Sequence, residues 1–260
     1  MTPRDTVPTG GLRCEDEAYG DALARFLAGS DEKARTHAYL DDVVRRMPVR
    51  RVLLDVGAGD GTTACHLSRF FERTVCIEPS EHMRRVLERA CPHALVLADP
   101  VLRAQPGVSA DLALLSHVLY YVPRAQWAPT VLRVLDWVEP GGTLLIVLQN
   151  PDDACMRMVR HFTGNRFDLR ELADELTTTG NVPARALALE SVPARYTGTD
   201  LDEVVAVAAF HLNVPSPGPG GEPVSREAVA DYVRRHFADR AGGFTMSHAQ
   251  DVLRIHRPRP

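Results

Sequence analysis

Lysine is almost absent. Lys33 is the only one, and every other basic side chain is arginine, a bias of GC-rich bacterial coding rather than of protein physics. Charge of either sign is not in large excess. The formal net charge is −4 over 260 residues, so the chain lacks the basic excess with which nucleic-acid-binding domains meet a polyanion. No apolar run is long enough to span a bilayer, and the opening MTPRDTVPTGG is no signal peptide. A cytoplasmic chain is expected, with no membrane and no nucleic acid among its partners. The five cysteines (14, 65, 76, 91 and 155) form no C-x-x-C pair and no metal-ligand spacing with histidine. They read as reduced thiols, mostly in the core, with Cys65 and Cys76 as packing residues, and no metal is expected.

The densest signal is Val52 to Ala64, VLLDVGAGDGTTA. An apolar run ending at Asp55 marks a fully buried strand, and Gly57, Gly59 and Gly61 at alternate positions mark a tight turn. An amphipathic helix is expected next, over Ala64 to Phe71. Strand, glycine turn and helix form a cradle, because glycine lets the backbone approach a ligand closely and a helix start offers unpaired N–H groups. The dinucleotide fingerprint G-x-G-x-x-G is not matched. Asp60 sits inside the loop, and no Lys or Arg falls between Asp55 and His66, so a diphosphate fits poorly. The loop also lacks the G-K-[ST] ending of a P-loop. The spacing D-x-G-x-G-x-G after a buried strand resembles the first motif of the class I S-adenosylmethionine methyltransferases. The resemblance implies S-adenosyl-L-methionine as cofactor.

The following strands extend it. Thr74 to Ile77 ends at Glu78, 21 positions after Gly57, where an acid can bond ribose hydroxyls; a solvated strand-end acid is the plainer reading. Leu95 to Ala98 ends at Asp99, near the adenine in that family, or else a turn acid before Pro100. Ala110 to Ser116 is a fourth strand, and Glu139 to Gly142 turn into a fifth over Thr143 to Gln149. Steady alternation of strand and helix implies an α/β fold with a parallel sheet. The resemblance covers residues 50 to 150 and implies a Rossmann-like, mostly parallel sheet of seven strands. It places Asp55, Gly57, Gly59, Glu78, Pro79, Asp99 and Ser116 at the cofactor.

Residues 1 to 14 are expected to be disordered, being rich in Pro, Gly and Thr. Glu15 to Ala28 reads as a helix closed by Gly29. Ser30 is a plausible N-cap for a second helix, from Asp31 to Met47. These helices cap the cofactor core, and together they make up residues 15 to 150. Residues 151 to 260 complete the same domain. Helices are expected over Asp152 to Phe162, from Asp168 to Gly180, from Thr199 to Leu212 and from Ser225 to Phe237, as a substrate lid. Ala184 to Val192 is strand-like, 215 to 223 is a loop, and Phe244 to His256 is a closing strand.

Several segments are similar to the histamine N-methyltransferases: Tyr19 with Arg25-Phe26-Leu27 and Ser30-Asp31-Glu32, then Glu78-Pro79-Ser80, Leu119 to Val122, and Arg166-Phe167. By position the resemblance implies that Glu32 holds a substrate amine. It puts His117 and His248 where that family has a glutamine and an asparagine. Two neutral amides have become titratable imidazoles, a departure that weakens the case for histamine itself.

Methyl transfer from a sulfonium is an in-line displacement, so positioning supplies most of the acceleration. The nucleophile also loses a proton, which a histidine with its ordinary pKa of about 6.5 can accept. Glu32, His117 and His248 are therefore the candidate catalytic residues. Tyr19, Phe26, Tyr120, Tyr121 and Phe167, with Glu32, are the candidate substrate contacts, since aromatic walls suit a flat ring or a cationic centre. Plainer readings stand beside these. Glu32 lies in a first helical turn, which favours any acid. A one-residue slip would turn His248 to the other face. Tyr120 and Tyr121 adjoin each other, which sends one to the core and the other to the pocket. The remaining histidines (37, 66, 82, 93, 161, 211, 236 and 256) are expected on solvated faces. The expected activity is methylation of a small imidazole, indole or amine in bacterial specialised metabolism. Carbon methylation of an indole is the nearest rival, and a non-catalytic S-adenosylmethionine-binding regulator is the alternative of another class. The oligomeric state is not legible.

Overall fold

The computed structural model describes residues 6–9, 17–213 and 221–259. Cys14, most of the expected N-terminal disorder and most of the 215–223 loop lie outside these residues. The described part of the N-terminus departs from expectation: Thr6–Val7 forms a short strand, β1, paired antiparallel with Val224–Ser225, β9. Val7 is buried there, which a hydrophilic tail does not provide.

The chain forms two compact units, interleaved in sequence. One takes residues 36–148, 168–190 and 251 onward; the other takes the first 35 residues with 149–167 and 191–250. The first unit is built on a seven-stranded sheet. Its strands are β2 (Val52–Val56), β3 (Arg73–Ile77), β4 (Leu95–Leu97), β5 (Ala110–Ser116), β6 (Val138–Gln149), β7 (Leu187–Val192) and β11 (Gln250–His256), in the spatial order β4-β3-β2-β5-β6-β11-β7. The pairs β2–β3, β2–β5, β3–β4 and β5–β6 are parallel. Four of five residues in β2 and the first six of β5 are buried, as expected for strands covered on both faces.

Helix α2 (Glu32–Arg45) precedes the sheet, while α3 (Thr62–Ser68), α4 (Glu81–Ala90), α5 (Trp127–Asp136) and α7 (Leu169–Thr178) connect its strands. Helix α3 starts and stops earlier than the expected Ala64 to Phe71. The Asp60 carboxylate accepts the Thr62 N–H at 2.9 Å and opens the helix there, and Phe70 and Phe71 fall into turns. Strand β6 begins at Val138 rather than Thr143. Ala110 pairs with Val138 and Leu112 with Thr143, so a bulge absorbs the Pro-Gly-Gly that reads as a turn.

The second unit gathers α1 (Glu17–Ala28), α6 (Ala154–Thr163), α8 (Leu201–Leu212) and α9 (Arg226–His236), with β8 (Arg195–Gly198) paired antiparallel to β10 (Phe244–Ser247). Helix α8 packs against α1, α6 and α9. It is apolar over most of its surface, as suits a helix buried on several sides. The expected single closing strand is in fact two strands in two sheets, β10 and β11, broken at His248 and Ala249. The Asp153 carboxylate makes the break by accepting both the Ser247 hydroxyl and the Ala249 N–H. No described helix is long and apolar enough to cross a membrane.

Candidate active site

The glycine turn follows directly from β2, at the strand end where open α/β sheets bind ligands. Gly57, Gly59 and Gly61 all have positive φ, at 76°, 56° and 79°. At Gly57 this freedom is obligatory, because a Cβ there would lie 2.3 Å from the Cγ2 of Val118. The turn is therefore pressed against the chain that leaves β5. At Gly59 an added Cβ would meet no protein atom within 4 Å, so this part of the backbone faces open space.

Glu78 fixes the turn. It is 5 % exposed, and its Oε2 accepts the Gly59 N–H at 2.8 Å while Oε1 accepts the Ser80 N–H at 2.8 Å. Both carboxylate oxygens thus hold backbone N–H groups of the turn and of the chain entering α4. Ser80 also caps α4 through the Met83 N–H, and the Pro79 carbonyl accepts an Arg84 guanidinium N–H at 2.6 Å. Asp55 is buried inside β2, Asp99 is exposed beyond β4, and Ser116 is half-buried at the end of β5. Burial, and then the charge of Asp55, push the Cys76 thiol up, so this cysteine is a packing residue.

His117 follows Ser116 and has a φ of 58°, the left-handed region that a residue with a Cβ seldom occupies. Its N–H donates to the Val147 carbonyl at 2.9 Å, which holds the strained residue in place. Strain of this kind accumulates where function needs a side chain aimed against its backbone preference. The imidazole stacks on Tyr120, with ring centroids 5.8 Å apart and 20° between planes. Tyr120 is buried and Tyr121 is 40 % exposed, so Tyr120 is the core member of the adjacent pair.

In the second unit, Glu32 and His248 lie together. The Nδ1 of His248 is 3.3 Å from Glu32 Oε2, off the line of a hydrogen bond. His248 Nε2 lies 3.1 Å from the Ser30 hydroxyl, which also accepts the Glu32 N–H at 3.0 Å. His248 has no exposed surface and Glu32 is 5 % exposed. Phe26 sets its edge against the His248 ring at 5.0 Å, stacks on Tyr196 and Phe210, and meets His211 at 4.7 Å. Tyr19 touches Phe210 edge-on at 5.5 Å. The Cys155 thiol is pushed well up, first by burial and then by the charges of Glu32 and Asp153. Phe167 is buried in this unit, preceded by Arg166, which pairs with Asp152 at 3.0 Å.

Three sequence readings fail here. His211 is not solvated: it is 2 % exposed, and its Nδ1 bonds the Val207 carbonyl one turn back. His37 and His66 are partly buried and stacked 4.0 Å apart, with His66 held by Asp41 at 2.7 Å. Cys65 is exposed rather than packed. Sequence reasoning also missed Ser30 as a partner of His248, since its hydroxyl reads only as a cap. The short strand β8, which carries Tyr196, has no distinguishing turn chemistry in RYTG.

The comparisons with known proteins agree with the cradle. A methyltransferase domain model matches residues 16–205. The chain belongs to this methyltransferase family. Among curated proteins it is 30 % identical over 122 residues to a dTDP-3-amino-3,4,6-trideoxy-α-D-glucopyranose N,N-dimethyltransferase of Streptomyces venezuelae, covering 45 % of this chain and 51 % of that one. The chain thus spans about half the length of this relative. It is 28 % identical over 172 residues to a protein-L-isoaspartate O-methyltransferase of Rhizobium meliloti, covering 62 % and 78 %. Among solved structures, the N-methyltransferase NodS of Bradyrhizobium japonicum in complex with S-adenosyl-L-homocysteine has a TM-score of 0.57 at 15 % identity, over 94 % of this chain and 100 % of that one. A methyltransferase of Haloferax volcanii in complex with the Trm112 activator has a TM-score of 0.53 at 16 % identity, over 96 % and 100 %. At these identities the structures share the fold.

The residues of this methyltransferase domain fit S-adenosyl-L-methionine as a cofactor. The open backbone at Gly59 leaves room for a ligand against the turn, and the Glu78 carboxylate stands beside it, holding the Gly59 N–H. Among the described residues no group of His, Cys, Asp and Glu is arranged to hold a metal.

Proposed function

We propose that this methyltransferase acts on the nitrogen of a small heteroaromatic or amine, of imidazole or indole type, in bacterial specialised metabolism. The observation that carries the reading is the buried Glu32–His248 pair behind the Phe26 ring. A buried carboxylate is costly unless it has a partner. Here His248 and the segment around Ser30 hold Glu32 in place, and the resemblance to the histamine N-methyltransferases supports a substrate ammonium or ring N–H as the group its carboxylate meets.

The cofactor, when bound, supplies a sulfonium methyl group. Gly57, Gly59 and Glu78 would hold it, with Asp55, Pro79, Asp99 and Ser116 around them. Glu32 anchors the cationic or N–H end of the acceptor, with Tyr19, Phe26 and Phe167 as its aromatic contacts. His117, strained and half-exposed at the end of β5, accepts the proton that the nucleophilic nitrogen loses. His248 has no exposed surface, so its role is to position Glu32, not to exchange protons with solvent.

A second reading rests on the same pair. If Glu32 withdraws the indole N–H proton, the ring carbon becomes the nucleophile. Turnover with methyl-deuterated S-adenosylmethionine, across imidazoles, indoles and aliphatic amines, separates the two. Label on nitrogen supports the first reading and label on an indole carbon the second. Cofactor bound without label on any acceptor sinks both.

A further inference from the structure

Helices α3 and α4 meet at Gly61. A Cβ at this residue would lie 3.1 Å from the Leu87 Cα and 2.4 Å from its Cδ1, so the two backbones are nearly in contact. One helical turn further along each, the Cys65 N–H bonds the Gly61 carbonyl at 2.8 Å and the Cys91 N–H bonds the Leu87 carbonyl at 2.7 Å. The closest approach of the helices is thus followed, on each, by a cysteine. Burial, and then the neighbouring Cys65, push the Cys91 thiol up, while Ser68 draws it down. The two thiols differ in access: Cys65 is exposed, while Cys91 is 3 % exposed in a cluster with Ala64, Cys76 and Leu87.

We propose that Cys65 and Cys91 are a site of reversible oxidation, closing to a disulfide when hydrogen peroxide reaches Cys65. The Cys65 sulfur attacks one peroxide oxygen, the O–O bond breaks, and hydroxide leaves with the thiol proton as water. Cys65 is then a sulfenic acid. The Cys91 sulfur attacks the Cys65 sulfur, and the departing hydroxide takes the Cys91 proton as a second water. Two thiols are oxidised and one peroxide is reduced. Disulfides need close Cα positions and converging Cβ vectors; the helices touch one turn earlier at Gly61 and Leu87, and Cys91 packs in the cluster that holds Ala64, the residue before Cys65. The exposed Cys65 is thereby captured as a reversible disulfide before it climbs to sulfinic acid.

The test treats the full-length protein, in a Cys14→Ser background, with hydrogen peroxide. Peptide mapping should find one intramolecular Cys65–Cys91 link, reversed by dithiothreitol, with Tm raised on the order of 5 °C over the reduced form. Cys91→Ser should trap a dimedone-reactive sulfenic acid at Cys65, and Cys65→Ser should form no link. S-adenosylhomocysteine should bind the oxidised and reduced proteins equally, a readout that needs no knowledge of the methyl acceptor. Sulfinic or sulfonic acid at Cys65 with Cys91 still free would overturn the proposal. So would loss of S-adenosylhomocysteine binding on closure.

Discussion

His248 holds its Nδ1 atom 3.3 Å from the Glu32 carboxylate, at a point in the chain where two strands part company. Glu32 opens α2, and His248 occupies the break between β10 and β11, so the pair joins segments 216 positions apart. Ser30 sets the geometry from the other side, tying the His248 ring and the Glu32 backbone to one hydroxyl.

The first prediction follows from that arrangement. Glu32→Gln keeps the shape and removes the charge. It should lower kcat/KM for a cationic or N–H acceptor by roughly 10- to 100-fold, the worth of one charged hydrogen bond. Affinity for S-adenosylhomocysteine, measured by calorimetry, should stay at the wild-type value. An equal loss in both would mean that Glu32 supports the fold and does not meet substrate.

Much of the cofactor unit was legible because its signals are local. The apolar run into Asp55, the alternate glycines and the acid at Glu78 all act through neighbouring backbone, and β2 to β5 appear nearly where the residues place them. The second unit was harder to read. His248 reads as part of one closing strand from Phe244 to His256; the break comes from Asp153, 94 residues before Ser247. His211 carries a polar label, but its ring is satisfied by the carbonyl of its own preceding turn, so an apolar helix can bury it. Such burial is settled by tertiary neighbours and leaves no local mark.

Glu78 gives the second prediction. Its two oxygens hold the Gly59 and Ser80 N–H groups, so Glu78→Ala leaves two turn donors without partners as well as removing acceptors for the cofactor. Binding of S-adenosylhomocysteine should weaken by about 100-fold or more, from two lost charge-assisted bonds. Glu78→Gln, which retains one acceptor oxygen, should fall between. A Glu78→Ala protein with wild-type affinity would remove this residue from the cofactor site.

Acid stability supplies the third. Asp111 is raised by burial, but the Arg51 guanidinium and the N–H groups of Val52 and Arg51 outweigh this and bring its carboxyl below the ordinary 3.8. A depressed carboxyl adds stability in full above its unfolded value and loses it as pH falls through the folded value. Asp111→Asn should therefore be less stable than wild type by about 1–3 kcal/mol at neutral pH. The gap should shrink only below pH 3.8. Urea melts at a series of pH values read it directly, and a gap that stays constant to the lowest pH would deny Asp111 this role.

The last prediction separates strain from chemistry at His117. With a φ of 58°, the residue sits where glycine is comfortable and alanine is not. His117→Gly should therefore keep or raise Tm, by relieving a strain on the order of 1 kcal/mol, while kcat falls because the proton acceptor is gone. His117→Ala should lose both, since it keeps the strained Cβ and discards the imidazole stacked on Tyr120. If the imidazole accepts a proton in turnover, small exogenous imidazole should restore part of the kcat of His117→Gly, with the cofactor affinity unchanged throughout. A glycine variant with full activity would assign the left-handed turn to packing beneath Val118 and send the search for the base elsewhere.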